Sequence, residues 1–468
     1  MRTPPTSGEP TAPRRCALPP LLRYPTVDEL GARATALVAR HPRSARLRRI
    51  GASRAGTPLW LLSVGHGSRH VLVVAGPHAN EPVGGATVLL LAERALSDPR
   101  LTEGADTTWN LLLCLDPDGL RHNEGWLTGP YSLDRYFRRF FRPGFLEQPE
   151  WLPDGSGAAV LPETRALLAV QDELKPFFQC SLHGVDVGGG FVELTRDLPG
   201  LAQTVAQTSA RLGIPRELGA YDALYWPTLG PAVYGIPPPR RGDLVAAITE
   251  AAVESTWYHP HRHGTVTAVV EAPMWAVDAV GDGSAPADAD TELRALSRAL
   301  RRDTRLLRGI LARVRPHAAA VPDAARLLAP VDDYLLVSPG LADAWDPDLV
   351  DHRPRRPLPA LTTARLTALR IAGRRLALRT AGLLHQLVTR AGRDPAGVLP
   401  ELDGLVDQWC AEYRDLCGAR WVPVARQAEY QAQLVFAACE LARRRATGTS
   451  RSGESGWGCE SVVPMHRE

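Results

Sequence analysis

The chain has 468 residues, 44% hydrophobic and 22% charged, with a formal net charge of +3, room for one large domain and a second region attached. Such a near-balance gives no reason to expect a nucleic-acid or membrane partner, and no run approaches the roughly eighteen apolar residues that cross a bilayer. Seven scattered cysteines without Cys-x-x-Cys spacing point to reduced thiols and a cytoplasmic location, and the Pro- and Arg-rich first twenty residues lack the apolar core of a signal peptide.

After a head predicted to be disordered (1–22), the spacing of Leu30, Ala34, Leu37 and Val38 predicts an amphipathic helix over 27–40. Residues 46–52 and 59–64 form a hairpin, with Arg54-Ala-Gly-Thr-Pro58 as turn chemistry. The β-branched run 71–75 is a buried central strand, stopped by Gly76-Pro77. Pro82 suits a first helical position, and 86–96 carries apolar residues at helical spacing. His78 and Glu81 therefore fall on a strand-to-helix turn, where open α/β sheets place ligands.

A further strand, 109–115, leads into Asp116-Pro-Asp-Gly119, and residues 120–154 are expected to be a long loop walling a pocket. A helix over 162–175 precedes a strand over 177–182 that ends at His183-Gly184. Residues 191–195 are one more strand, 201–212 a helix, and 222–242 a Pro/Gly-rich loop. The β-branched strand 265–270 ends in Glu271, a carboxylate expensive to bury without a partner or a proton to handle. Tyr258-His-Pro-His-Arg-His263 is the loop feeding that strand, and Cys180 is a core thiol. From about residue 290 the pattern turns helical, over 293–314, 361–390, 400–416 and 424–445, with Pro-rich connections such as 354–359. The expected division is a catalytic domain at 23–285, a helical region at 290–445 and a disordered tail at 446–468.

Each strand-end residue alone is weak evidence, but together they make an ordered set: His-x-x-Glu, a remote histidine, a remote glutamate. His78, Glu81 and His183 can hold one zinc ion with a position left for water, and Glu271 can act as general base and acid in cleaving an amide. Arg121 and Asn123 follow the Asp-Gly turn closely enough to reach the same pocket.

On these residues the chain resembles the zinc carboxypeptidases of the carboxypeptidase A type, over roughly residues 24–277: a leading helix, a hairpin, the His-x-x-Glu turn, the Asp116–Gly119 turn, Ser181-Leu-His-Gly184 and the late glutamate. The resemblance implies an α/β fold with a mixed, mostly parallel eight-stranded sheet, zinc on His78, Glu81 and His183, and Glu271 as base. It also implies an Asn-Arg pair for the substrate carboxylate, best matched by Asp134-Arg135. Asn80 stands where many of these peptidases carry arginine, as in the related deacylases of the aspartoacylase and succinylglutamate desuccinylase type. The expected substrate is thus a peptide or, alternatively, an N-acyl amino acid. A third possibility is an inactive scaffold whose helical region is the working surface.

Overall fold

The computed structural model describes residues 22–152, 160–238, 254–352, 358–392, 394 and 396–448. Its strands are β1 (Ala45–Ala52), β2 (Pro58–Val64), β3 (Arg69–Ala75), β4 (Thr107–Leu112), β5 (Phe178–Gly188), β6 (Phe191–Leu194), β7 (Thr228–Gly230), β8 (Val233–Gly235), β9 (Val266–Ala276) and β10 (Arg420–Trp421). The helices are α1 (Val27–Arg40), α2 (Val83–Ser97), α3 (Pro117–Leu127), α4 (Leu133–Arg139), α5 (Pro162–Leu174) and α6 (Leu201–Leu212). They continue as α7 (Ala289–Val314), α8 (Ala324–Trp345), α9 (Thr363–Arg390), α10 (Leu399–Asp415) and α11 (Val424–Gly448). Helix α11 runs past residue 446; the rest of the expected head and tail, and most of the 354–359 connection, lie outside the described residues.

The fold is α/β, with one mixed sheet in the order β1-β2-β4-β3-β5-β9-β6-β8-β7 and β10 added beside β9. Strands β4, β3, β5 and β9 are mutually parallel and form the buried centre; the flanking pairs β1–β2, β2–β4, β6–β9 and β7–β8 are antiparallel. Ten strands stand among the described residues where the resemblance implied eight; the three-residue β7 and β8 and the two-residue β10 are too short to leave a periodic signature. Val71 and Val73 face one core with α2 and α11, whereas Leu72 and Val74 face a second with Leu167 and Val170 of α5. This alternation explains why β3 is apolar at every buried position.

Two expectations about local structure are corrected. Residues 120–154 are not one loop: α3 and α4 occupy much of the stretch. Asp116 caps α3 by accepting from the Gly119 amide at 2.9 Å, and Pro117 sits in its first turn. A Cβ on Gly119 would lie 2.3 Å from the Asp116 carboxylate, so the cap requires glycine. Asp118 instead secures the β1–β2 turn, accepting from Ser53 Oγ, the Ala55 amide and Thr57 Oγ1 at 2.7–2.9 Å. The second correction is that His183 and Glu271 do not end their strands. Strands β5 and β9 continue beyond them, and the two residues are register partners across the parallel pair. Backbone pairing alone therefore brings them together.

The helical region is not an appendage held at a distance. Trp421 pairs with Trp275, and Gln431 of α11 donates to the carbonyls of His183 (2.6 Å) and Val270 (3.1 Å). Gln431 in turn accepts from Thr87 of α2 at 2.7 Å, tying α2, α11, β5 and β9 together behind the histidine. Helix α9 approaches α4 so closely that a Cβ on Gly382 would sit 1.9 Å from the Phe137 carbonyl oxygen. One hydrophobic core, containing Val73, Leu182, Leu378, Leu383 and Leu434, spans both parts. Helix α8, not foreseen in the sequence, packs through Val337, Leu341 and Trp345 against Leu369 and Ala372 of α9.

Candidate metal centre and cleft

His78 leaves the end of β3 on the turn before α2, and its Nδ1 lies 3.0 Å from both oxygens of Glu81. His183 points to the same place from β5, with Nδ1 3.3 Å from Glu81 and 3.7 Å from Glu271. The two imidazoles stand edge to face, 4.7 Å between centroids. All four side chains are buried and line a cleft of about 210 Å³. The structure thus brings together His78, Glu81, His183 and Glu271.

A fifth residue belongs to the cluster and was missed. Glu150 lies behind the histidines, with one oxygen 3.1 Å from Nε2 of His183 and the other 3.3 Å from Nε2 of His78. Its carboxylate also accepts from Ser181 Oγ (3.0 Å) and from the Trp257 indole. His78, Glu150 and His183 offer ligand atoms within 4.8 Å of one another, a set able to hold a metal ion. Each imidazole is therefore flanked by a carboxylate on both nitrogens, Glu81 at Nδ1 and Glu150 at Nε2. Glu150 has no exposure and does not line the cleft, whereas Glu81 does.

The charges in this cluster respond to one another. Burial alone disfavours a charged His183, yet Glu150, Glu81 and Glu271 together hold its pKa well above the usual imidazole range. Burial likewise opposes ionisation of Glu81, but His78 and His183 hold its carboxyl well below the ordinary carboxylate range. Glu271 goes the other way: burial pushes it well above the usual range, with His183 acting against the rise. If His183 Nε2 carries a proton for its hydrogen bond to Glu150, and His78 Nε2, 3.3 Å from the other Glu150 oxygen, is protonated too, both Nδ1 lone pairs face the Glu81 oxygens. That arrangement calls for a cation between them, either a proton or a metal ion. His78 Nε2, Glu150 Oε2 and Glu271 Oε2 are buried atoms without a hydrogen bond to described residues, so the donor set is not closed on itself. The residues present fit zinc.

The four expected substrate-binding residues are elsewhere. Arg121 is exposed and paired with Asp28 at 2.6 Å. Asn123 is fully buried and bonds the carbonyls of Ala79, Gly119 and Phe141, so it staples loops together. Asp134 pairs with Arg138 one helical turn on, and Arg135 donates to the Gly125 carbonyl at 2.8 Å. None of them lines the cleft. Arg142, Arg375 and Arg379 line it instead, together with the carboxylates Glu193 and Asp222. Arg375 and Arg379 come from α9, and Tyr334, Val337 and Leu341 of α8 complete that wall.

Residues 32–187 match the family model described as zinc carboxypeptidase. The matched stretch contains His78, Glu81, Glu150 and His183 and ends before Glu271 and the helical region. No curated protein matches the chain. Solved structures similar to it include the carboxypeptidase A of Helicoverpa armigera, at 15% identity over 54% of this chain and a TM-score of 0.35. A metallo-carboxypeptidase from Burkholderia cenocepacia is 17% identical over 53% of this chain, with a TM-score of 0.32. The chain spans 65% and 60% of their respective lengths, less than two thirds of either. Among the described residues no helix is long and apolar enough to cross a membrane, and Cys114, Cys180, Cys410, Cys417 and Cys439 are free thiols.

Proposed function

We propose that the protein is a zinc-dependent hydrolase of carboxypeptidase type that cleaves an amide bond of a peptide or peptide-like substrate. The observation that carries this reading is the two-sided arrangement of the histidines: Glu81 and Glu271 on the cleft side at Nδ1, Glu150 on the buried side at Nε2. A reacting metal must meet substrate, so His78, Glu81 and His183 are the ligands and Glu150 orients the two imidazoles from behind. Zinc, when bound there, supplies a Lewis acid that polarises a carbonyl and acidifies water.

Glu271 takes the proton of the attacking water and returns it to the leaving amine. Burial holds its proton affinity well above the ordinary carboxylate range, with His183 acting against the rise, which suits a group that must keep a proton until the amine leaves. Arg142, 3.1 Å from Glu81 and held by Gln148, faces the cleft beside the ligands and adds positive potential where an oxyanion develops. The tryptophans Trp151, Trp226 and Trp257 and the α8 side chains keep bulk water from the site.

The deacylase alternative leaned on Asn80 and on the loose match of Leu133-Asp-Arg-Tyr-Phe137. The Asn80 side chain has no exposure and donates to Tyr136 and Asp186, both at 3.2 Å, so it makes no contact a substrate would feel. The test is chelation followed by zinc repletion, assayed with blocked dipeptides and N-acyl amino acids side by side. Dipeptide hydrolysis should vanish and return, and Glu271→Gln should slow turnover by about 10²–10⁴-fold. Full turnover in Glu271→Gln would sink the proposal.

A further inference from the structure

The cleft presents three guanidinium groups among the described residues, and they differ in how well they are neutralised. Arg142 bonds Glu81 and Gln148. Arg379 makes two contacts to Asp186 Oδ2, at 2.8 and 2.9 Å. Arg375 has neither arrangement: its side chain is only 13% exposed, yet its one ion pair among the described residues is to Asp222 at 3.6 Å, and it makes no hydrogen bond to a described residue. Asp222 is itself about half exposed.

A guanidinium that faces the cleft with one long contact leaves most of its five donors unused by the protein and open to a second anion. Its planar fork suits a carboxylate through two parallel bonds. The group also stands in the same cleft as the cluster: Arg375 and Asp222 line it together with His78, Glu81, His183 and Glu271. We infer that Arg375, contributed by the helical region outside the family-matched segment, is the anchor for a carboxylate on the substrate. This inference rests on the hydrolase reading for its substrate, but the anion site follows from the geometry of Arg375 alone. It assigns α9 the task expected of Arg135, and makes the helical region part of the binding cleft.

A carboxylate reaches this position either from a free C-terminus or from an acidic side chain. Three probes separate the sources: N-acetyl-alanyl-alanine, its C-terminal amide, and the C-terminal amide of N-acetyl-alanyl-glutamate. Binding is measured by calorimetry on the full chain carrying Glu271→Gln, so that no probe is consumed and the result does not depend on turnover. One charged probe should bind at least about tenfold more tightly than the neutral amide, equivalent to about 1.4 kcal/mol. Arg375→Gln should abolish that preference, and Arg375→Lys should keep part of it, because it retains charge without the fork. Asp222→Asn, at a half-exposed position that leaves folding intact, should strengthen the preference by removing the competing anion. Equal affinity for all three probes, no binding of any, or a preference that survives Arg375→Gln would overturn the inference. Should Arg375→Gln fail to fold, an unchanged preference in both Arg375→Lys and Asp222→Asn would overturn it as well. A carboxylate preference in a protein without amide hydrolysis would uphold the anchor and refute the proposed reaction.

Discussion

Glu193 offers a measurement of the cleft's electrostatics that needs no substrate. It stands on β6, two residues after Phe191, the antiparallel partner of Glu271, and its side chain lines the cleft while only 3% of the residue is exposed. Burial pushes its carboxyl up to about 8, with His183 pulling the other way and Asp222 and Glu150 adding to the rise. The folded-state value therefore exceeds the unfolded value of 4.5, and the folded protein holds a proton that the unfolded chain gives up. Stability from this group is intact below pH 4.5 and is lost as pH rises towards about 8. At about 1.36 kcal/mol per decade of proton activity, the loss is about 1 kcal/mol at pH 5 and about 4 kcal/mol at pH 8, an upper bound where neighbouring carboxyls share the proton. Glu193→Gln has the shape of the protonated acid and does not titrate. In urea unfolding of chelator-treated protein, the stability advantage of the variant should grow by about 3 kcal/mol between pH 5 and pH 8. A gap that is the same at both pH values would refute the placement of an uncompensated carboxyl in the cleft.

Glu150→Gln should weaken zinc binding by about 10–100-fold in competition with a chromophoric chelator, the usual loss when a group orienting a ligand histidine is changed; outright abolition would identify Glu150 as a ligand in place of Glu81. Arg379→Met should cost about 3–5 kcal/mol in urea unfolding, because Asp186 is left as a buried charge. Adding Asp186→Asn to that variant should recover much of the loss, and strict additivity of the two changes would contradict the pairing.

Much of the centre was legible in the sequence because its positions are tied to strong local signals. The run 71–75 can only be a covered strand, and Gly76-Pro77 ends it where His78 begins. The runs 177–182 and 265–270 read as strands, so His183 and Glu271 stood out as polar residues directly after them. Their true placement within the strands, opposite each other, depends on register, which a single strand does not encode.

Glu150 was illegible for the opposite reason. Gln148-Pro149-Glu150-Trp151 lies in irregular chain, and nothing local says that its carboxylate enters the core to meet two histidines. Helix α8 was hidden by Pro330 and Pro339, which lie within it and ordinarily mark helix ends. Arg375 and Arg379 looked like the solvated stripe of a charged helix. They are inside because α9 is covered by α4, α7, α8 and α10, a tertiary arrangement that its own periodicity does not contain. The Asp134-Arg135 match failed because α4 is fixed by Leu133, Tyr136 and Phe137, which point inward and turn the two charged residues away from the cleft.

The central claim is that a metal ion sits on the cleft side of the histidine pair, between Glu81 and the imidazoles and within reach of Glu271. Diffraction from zinc-loaded crystals at the zinc absorption edge tests it directly. The account predicts a single anomalous peak about 2.0–2.2 Å from Nδ1 of His78, Nδ1 of His183 and a Glu81 oxygen, with Glu150 remaining on both Nε2 atoms. A peak on the Nε2 side bonded to Glu150, or no peak at this cluster, would contradict it.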